Sequence, residues 1–232
     1  MQRVLTLTGS TVGKKVVMAL TGVVLFGFVL AHLLGNLQLY MGPEAINKYA
    51  AFLHANPGLL WGARLVLLAS VGLHIATAIS LAGQNADARP SRYRAQQYNA
   101  ATYASRTMYW SGPILLFFIV YHLAHLTFGQ TPGYSFDRDN VYNNVVLGFQ
   151  IWWIALVYIV GNIALGLHLR HGVWSLLQSL GVSHPRYDAW RERAAALFAL
   201  FITLGNISFP VAVMSGWVEP TTELSALPSL MD

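Results

Sequence analysis

The chain has 232 residues, of which 55% are hydrophobic and 10% charged, with a net charge of +5 and no cysteine. So apolar a composition excludes an ordinary soluble domain, where about a quarter of residues are charged, and points to an integral membrane protein. The missing cysteine excludes disulfides, thiolate metal sites and cysteine-held iron–sulfur clusters within this chain, so a metal would need His, Met, carboxylate or backbone ligands.

Five apolar segments follow in chain order, at about 16–40, 58–84, 107–128, 149–177 and 194–217. Each can cross about 30 Å of hydrocarbon at a rise of about 1.5 Å per residue. The first is too long for a signal-peptide core and no small-residue cleavage pattern follows it, so it is expected to stay as a span. The connections 41–57, 85–106, 129–148 and 178–193 carry Pro, Gly, Asn or charge. The N-terminal tail, the second and fourth connections and the neighbouring span ends hold Arg3, Lys14, Lys15, Arg89, Arg92, Arg94, Arg106, Arg170, Arg186, Arg191 and Arg193. The other side holds Lys48, Arg64 and Arg138. This positive-inside bias predicts an all-α membrane bundle of five helices, with the N-terminus inside and the C-terminus outside. A single transmembrane domain is expected over 1–218 and an external, poorly ordered tail over 219–232. Trp61, Trp110, Trp152, Trp153, Trp174 and Trp217 lie near span ends, as interfacial tryptophans do.

The chemistry-bearing residues are histidines. His54 and His184 fall in connections, whereas His32, His74, His122, His125, His168 and His171 fall in the first four spans. An imidazole in hydrocarbon needs a hydrogen-bond partner or a ligand to offset its desolvation. Their depths sort them. His32 lies 17 residues beyond Lys15, and His122 lies 16 beyond Arg106, which puts both about 25 Å of helix from the inner ends. His74 and His168 each lie 10 residues before a glutamine, Gln84 and Gln178, about 15 Å from the inner ends. Two layers of two opposed imidazoles predict two bis-histidine haem sites about 10 Å apart along the membrane normal, pairing His32 with His122 and His74 with His168. Gly22, Gly27, Gly35, Gly72, Gly161 and Gly166 leave room either for a flat macrocycle or for close helix packing. The H-x-x-H pairs His122/His125 and His168/His171 offer an alternative, a stand-alone histidine-ligated membrane metalloenzyme. The depths oppose it, since the two pairs lie in different halves of the bilayer and no intramembrane carboxylate completes a ligand set. Another cytochrome b electron carrier is the remaining alternative.

The segments STVGKKVVMALTGVVLFGFVLAHLLGN, LLASVGLHIATA, GPILLFFIVYHLAH and GLHLRHGVWSLLQSLG carry a family resemblance over nearly the whole chain. The chain resembles the cytochrome b membrane-anchor subunit of bacterial succinate:quinone oxidoreductase (succinate dehydrogenase or fumarate reductase), of the five-helix, two-haem type. The resemblance implies axial ligands at His32, His74, His122 and His168, with the pairing that the depths give. It implies two haem b groups and a membrane quinone, menaquinone in many five-helix members. It also implies partner chains: a flavoprotein subunit with FAD and an iron–sulfur subunit with its clusters. This chain has no dinucleotide fingerprint or cysteine motif of its own. The succinate site would then lie on a partner, the location would be the cytoplasmic (inner) membrane with multiple passes, and nucleic acid is not an expected partner. The connection 85–106, with four arginines and several tyrosines, is the candidate docking surface.

Further candidates follow. His125 and His171, with Arg64 and Arg170 just inside span ends, are candidates for haem propionate contacts. Ser10, Lys14, Ser105, Arg106, Tyr109 and Trp110, near the inner ends of spans one and three, are candidates for a quinone site. His54, Glu44 and Arg64 could serve one at the outer end. No acidic residue falls inside the five segments. Some two-haem relatives carry a glutamate two residues before the fourth ligand; Gly166 stands there, so no carboxylate proton relay through the bilayer is expected.

Overall fold

The computed structural model describes residues 10–87, 103–182 and 184–221, with no side chains described for 103–106. Seven helices occur among them: α1 (Thr11–Asn36), α2 (Pro43–Ala55), α3 (Pro57–Asp87), α4 (Tyr103–Leu126), α5 (Val141–Gln150), α6 (Trp152–Ser179) and α7 (Pro185–Met214). Strands are absent from the described residues. Five helices are long and apolar enough to span a membrane: α1 with the 3-10 turn that extends it to Met41, α3, α4 from Thr107, α6 and α7. The fold is all-α, as expected.

The span limits differ from the hydropathy reading at several ends. The largest difference is α7, which begins at Pro185 rather than near residue 194. Proline at the first helical position, the His184 ring accepting from the Arg186 N–H and Asp188 in the first turn together start a helix there. Asp188 and Glu192 therefore belong to the same helix as the fifth span, in its first turns. Buried Arg191 donates to both Asp188 and the Val182 carbonyl, which ties the α6–α7 connection to α7. The connections 41–57 and 129–148 each fold into a short helix, α2 and α5. Gly42, at a φ of 98° that favours glycine, turns the chain into α2.

The chain alternates direction, so α1 starts at one end of the bundle (the N-terminal end) and α2 and α5 close the other (the capped end). The closest helix pairs are α6–α7, α4–α6 and α1–α3. The core is concentrated towards the capped end, where Leu33, Ile154, Ile202 and Val146 are fully buried with Leu39, Ile46, Tyr142, Phe149, Tyr158 and Phe209 around them. Elsewhere large apolar side chains such as Leu68, Leu73, Phe117, Leu197 and Leu204 face outward, as lipid contact requires. Polar residues within the helices return to their own backbone. Thr77 donates to Leu73, Asn162 to Tyr158, Thr203 to Ala199 and Asn206 to Ile202, which offsets their burial in an apolar medium.

Candidate functional site

Two histidine pairs form between helices that are not otherwise closely packed. Neither α1 with α4 nor α3 with α6 is among the closely packed pairs, yet histidines meet across both. The His32 and His122 rings lie 5.8 Å apart between centroids, at 89° to one another. The His74 and His168 rings lie 6.3 Å apart, at 59°. A metal about 2 Å from one imidazole nitrogen of each ring would separate the ring centroids by about 6 Å, so each pair is spaced to hold one metal.

The second nitrogens support the same reading. His74 Nδ1 is 3.2 Å from the Thr21 hydroxyl, which is itself within reach of the Val17 carbonyl at 2.9 Å. The hydroxyl can donate to the carbonyl and accept from the ring. His168 Nδ1 is 3.3 Å from the hydroxyl of Ser111, a buried residue of α4. His122 Nδ1 is 3.2 Å from the Tyr158 hydroxyl on α6. In each case a hydroxyl engages Nδ1 and leaves Nε2 for a ligand, the arrangement typical of metal-bound histidine. His32 stacks on Phe28, with centroids 5.3 Å apart, and Phe118 borders His122.

The remaining glycines divide by role. A Cβ on Gly161 would come within 2.4 Å of the Phe118 ring, and one on Gly166 within 2.1 Å of Thr203 Oγ1, so these two serve helix packing. Gly35 packs on Tyr49, and Gly22 lies beside Leu176 and His74. A Cβ on Gly27 or Gly72 would meet nothing within 4 Å.

The other candidates are dispersed. His125 is fully buried, with Nδ1 2.8 Å from the Tyr158 hydroxyl and Nε2 without a partner among the described residues. It packs against Tyr134, whose hydroxyl burial pushes up to about 12, with Tyr121 adding to the shift. His125 is thus a buried structural neighbour of the His122 site. His171 lies 6.2 Å from the Trp174 ring. Arg170 pairs with Glu192 of α7 at 3.7 Å and lines an α6–α7 groove with Gly166 and Thr203. Two residues along α6 amount to about 200° of rotation, so Arg170 is turned away from the face that carries His168. Arg64 is exposed and sits over Trp61 at 5.1 Å.

Of the quinone candidates, Ser10 caps α1 by accepting from the Gly13 N–H, and Lys14 donates to Ser80 of α3 at 2.6 Å. Tyr109 and Trp110 are exposed on α4. The side chains of Ser105 and Arg106, together with Arg3, Arg89, Arg92, Arg94 and the tail beyond Thr221, lie outside the described residues. So does most of the candidate docking surface 85–106. The di-metal alternative gains no support, since no group of three or more His, Asp or Glu gathers among the described residues.

The sequence reading missed Tyr158, 36 residues from His122 and joined to it only by the packing of α4 on α6. It also missed the polar clasp of the capped end. Buried Asn143 accepts from the Thr221 N–H at 3.0 Å, Asn144 exchanges hydrogen bonds with the Asp137 backbone, and Asn47 joins Asn140 and the Tyr142 N–H. The Asn-Asn pair at the start of an amphipathic stretch was the available signal.

The family model described as succinate dehydrogenase/fumarate reductase transmembrane subunit matches residues 85–207, more than half of the chain. The chain belongs to this family. It is a multi-pass membrane subunit of an electron-transporting oxidoreductase complex, and its partners include the other subunits of that complex. The matched stretch contains His122, His125, His168 and His171, whereas His32 and His74 precede it. Searches of the curated proteins and of the solved structures found no match.

Proposed function

We propose that this chain is the di-haem anchor of a succinate:quinone oxidoreductase, passing electrons between an iron–sulfur partner subunit and a membrane quinone, menaquinone by the family resemblance. The observation that carries the reading is the pair of histidine couples, His32/His122 and His74/His168, whose rings meet between helices that are not otherwise closely packed. Two haem b groups, when bound, supply one-electron redox centres. The chain's own work is to hold and orient them. His32 and His122 would ligate towards the capped end, His74 and His168 nearer the N-terminal end. Thr21 and Ser111 fix the imidazole tautomers of the second couple through Nδ1. Outward-facing apolar side chains seat the bundle in lipid.

The N-terminal end would face the cytoplasm, in a cytoplasmic membrane, a reading that the lysine and arginine distribution supports. The flavoprotein and iron–sulfur subunits, carrying FAD and the clusters, would dock there. The exposed Tyr109 and Trp110 of α4 are the donors we favour for the quinone, with Ser105 and Arg106 nearby in sequence and Lys14 in the first turns of α1; Ser10 is committed to capping α1.

The test is to purify the complex gently through a tag on this chain. The expected result is co-isolation of a flavoprotein and an iron–sulfur protein, and a reduced-minus-oxidised spectrum of low-spin b-type haem at about two per chain, by the count of two histidine couples. A colourless preparation holding zinc or non-haem iron overturns the proposal.

A further inference from the structure

The Tyr158 hydroxyl stands between two imidazoles. It is 3.2 Å from His122 Nδ1 and 2.8 Å from His125 Nδ1. The residue is 5% exposed and wedged between the Phe118 and Phe149 rings, with centroids 5.3 and 4.8 Å away. Its backbone carbonyl is taken by the Asn162 side chain at 2.9 Å. The phenol therefore has no freedom to seek another partner.

A phenol has one hydrogen to donate, and two ring nitrogens face it. With Nε2 of His122 given to a metal, the neutral ring must keep its hydrogen on Nδ1, which then donates to the Tyr158 oxygen. The phenol's own hydrogen is left for His125 Nδ1. That order places the His125 hydrogen on Nε2, a buried atom with no partner among the described residues. This nitrogen abuts Gly148 of α5, where a Cβ would come within 2.6 Å. A buried donor left unpaired costs about 1–3 kcal/mol. A phenylalanine or leucine at position 125 would avoid that cost, so the position is spending stability on what His125 does for Tyr158.

We propose that Tyr158 is the positioning residue of the axial ligand His122, and that His125 is the anchor that aims the phenol at it. The inference rests on His122 being a ligand, as proposed above. Accepting from Nδ1–H makes the His122 ring a stronger donor to iron and favours the oxidised centre. The same contact fixes the ring's rotation about the iron–nitrogen axis. The other couple has hydroxyls from Thr21 and Ser111 in this place, neither of them backed by a second imidazole.

The experiment uses the intact complex carrying Tyr158→Phe, His125→Phe or His122→Ala, with optical redox titration and low-temperature electron paramagnetic resonance. His122→Ala should remove one b-type centre and so identify it. Tyr158→Phe should keep both centres. The centre identified by His122→Ala should become easier to reduce by up to tenfold in equilibrium constant, about 59 mV for a one-electron couple. Its resonance anisotropy should change while the other centre stays as in the wild type. His125→Phe should shift the same centre in the same direction by less. A purely structural tyrosine would lower stability without moving one potential selectively. If His122→Ala removes a centre but Tyr158→Phe leaves that centre's potential and resonance unchanged, the positioning role is wrong and the ligand assignment stands. If His122→Ala leaves both centres in place, the ligand reading fails and this inference with it. Should Tyr158→Phe fail to assemble, His125→Phe decides by the same criterion.

Discussion

Hydroxyl groups do at the His74/His168 couple what a larger apparatus does at His122. Thr21 belongs to α1, its acceptor carbonyl is Val17 on the same helix, and its partner ring is on α3. Thr21→Val keeps the shape and deletes the hydrogen bond. It should raise the midpoint potential of the centre that His74→Ala removes and leave the other centre alone, measured by redox titration of the complex. A glycine pair on α6 separates packing from backbone propensity. A methyl group added at Gly166 would run into Thr203, whereas one added at Gly172 would meet nothing within 4 Å. Gly166→Ala should therefore destabilise by about 1–3 kcal/mol through overpacking. Gly172→Ala should be neutral or stabilising by about 0.5–1 kcal/mol. Thermal unfolding of the two variants side by side checks the contrast. Residue by residue, the sequence showed where polarity sits in hydrocarbon. Spacing alone does not separate His122 from His125, which share one helix face; the family resemblance chose His122, and α5 and α6 pack on His125.

Among the elements, α2 and α5 make the capped end. Each is short and amphipathic, so hydropathy read them as connections, and their helical character depends on what they pack against. Asn143 links α5 to Thr221, and Tyr142 donates to the Glu219 carbonyl. Removing the Asn143 side chain leaves buried groups unpaired, at about 1–3 kcal/mol. Asn143→Ala should lower the melting temperature and expose the chain near Thr221 to limited proteolysis. The b-type spectrum should be retained, since the clasp touches neither histidine couple. The long helices were legible because about 20 apolar residues leave no alternative in lipid. The start of α7 was not, because Pro185–Arg193 is polar and its helical state comes from caps and ion pairs rather than apolar periodicity.

At the scale of the whole molecule, the acidic residues that the structure describes keep to helix ends and connections: Glu44, Asp87, Asp137, Asp139, Asp188, Glu192 and Glu219. Thr203 closes the space beside Gly166. No carboxylate relay crosses the bundle among the described residues, and we propose that electron transfer across this anchor is coupled to the membrane potential. Succinate-driven reduction of a low-potential quinone in sealed vesicles should then respond to an uncoupler; indifference to it would mean that quinone and cluster act on one face or that protons cross by another route. All of this depends on the proposal that four histidines form two couples. The direct measurement is the haem content and electron paramagnetic resonance of the complex carrying His32→Ala, His74→Ala, His122→Ala or His168→Ala. His32→Ala and His122→Ala should lose or convert to high spin the same centre, and His74→Ala and His168→Ala the other. Loss of one centre by both His32→Ala and His74→Ala, or retention of both low-spin centres in any of the four, would contradict it.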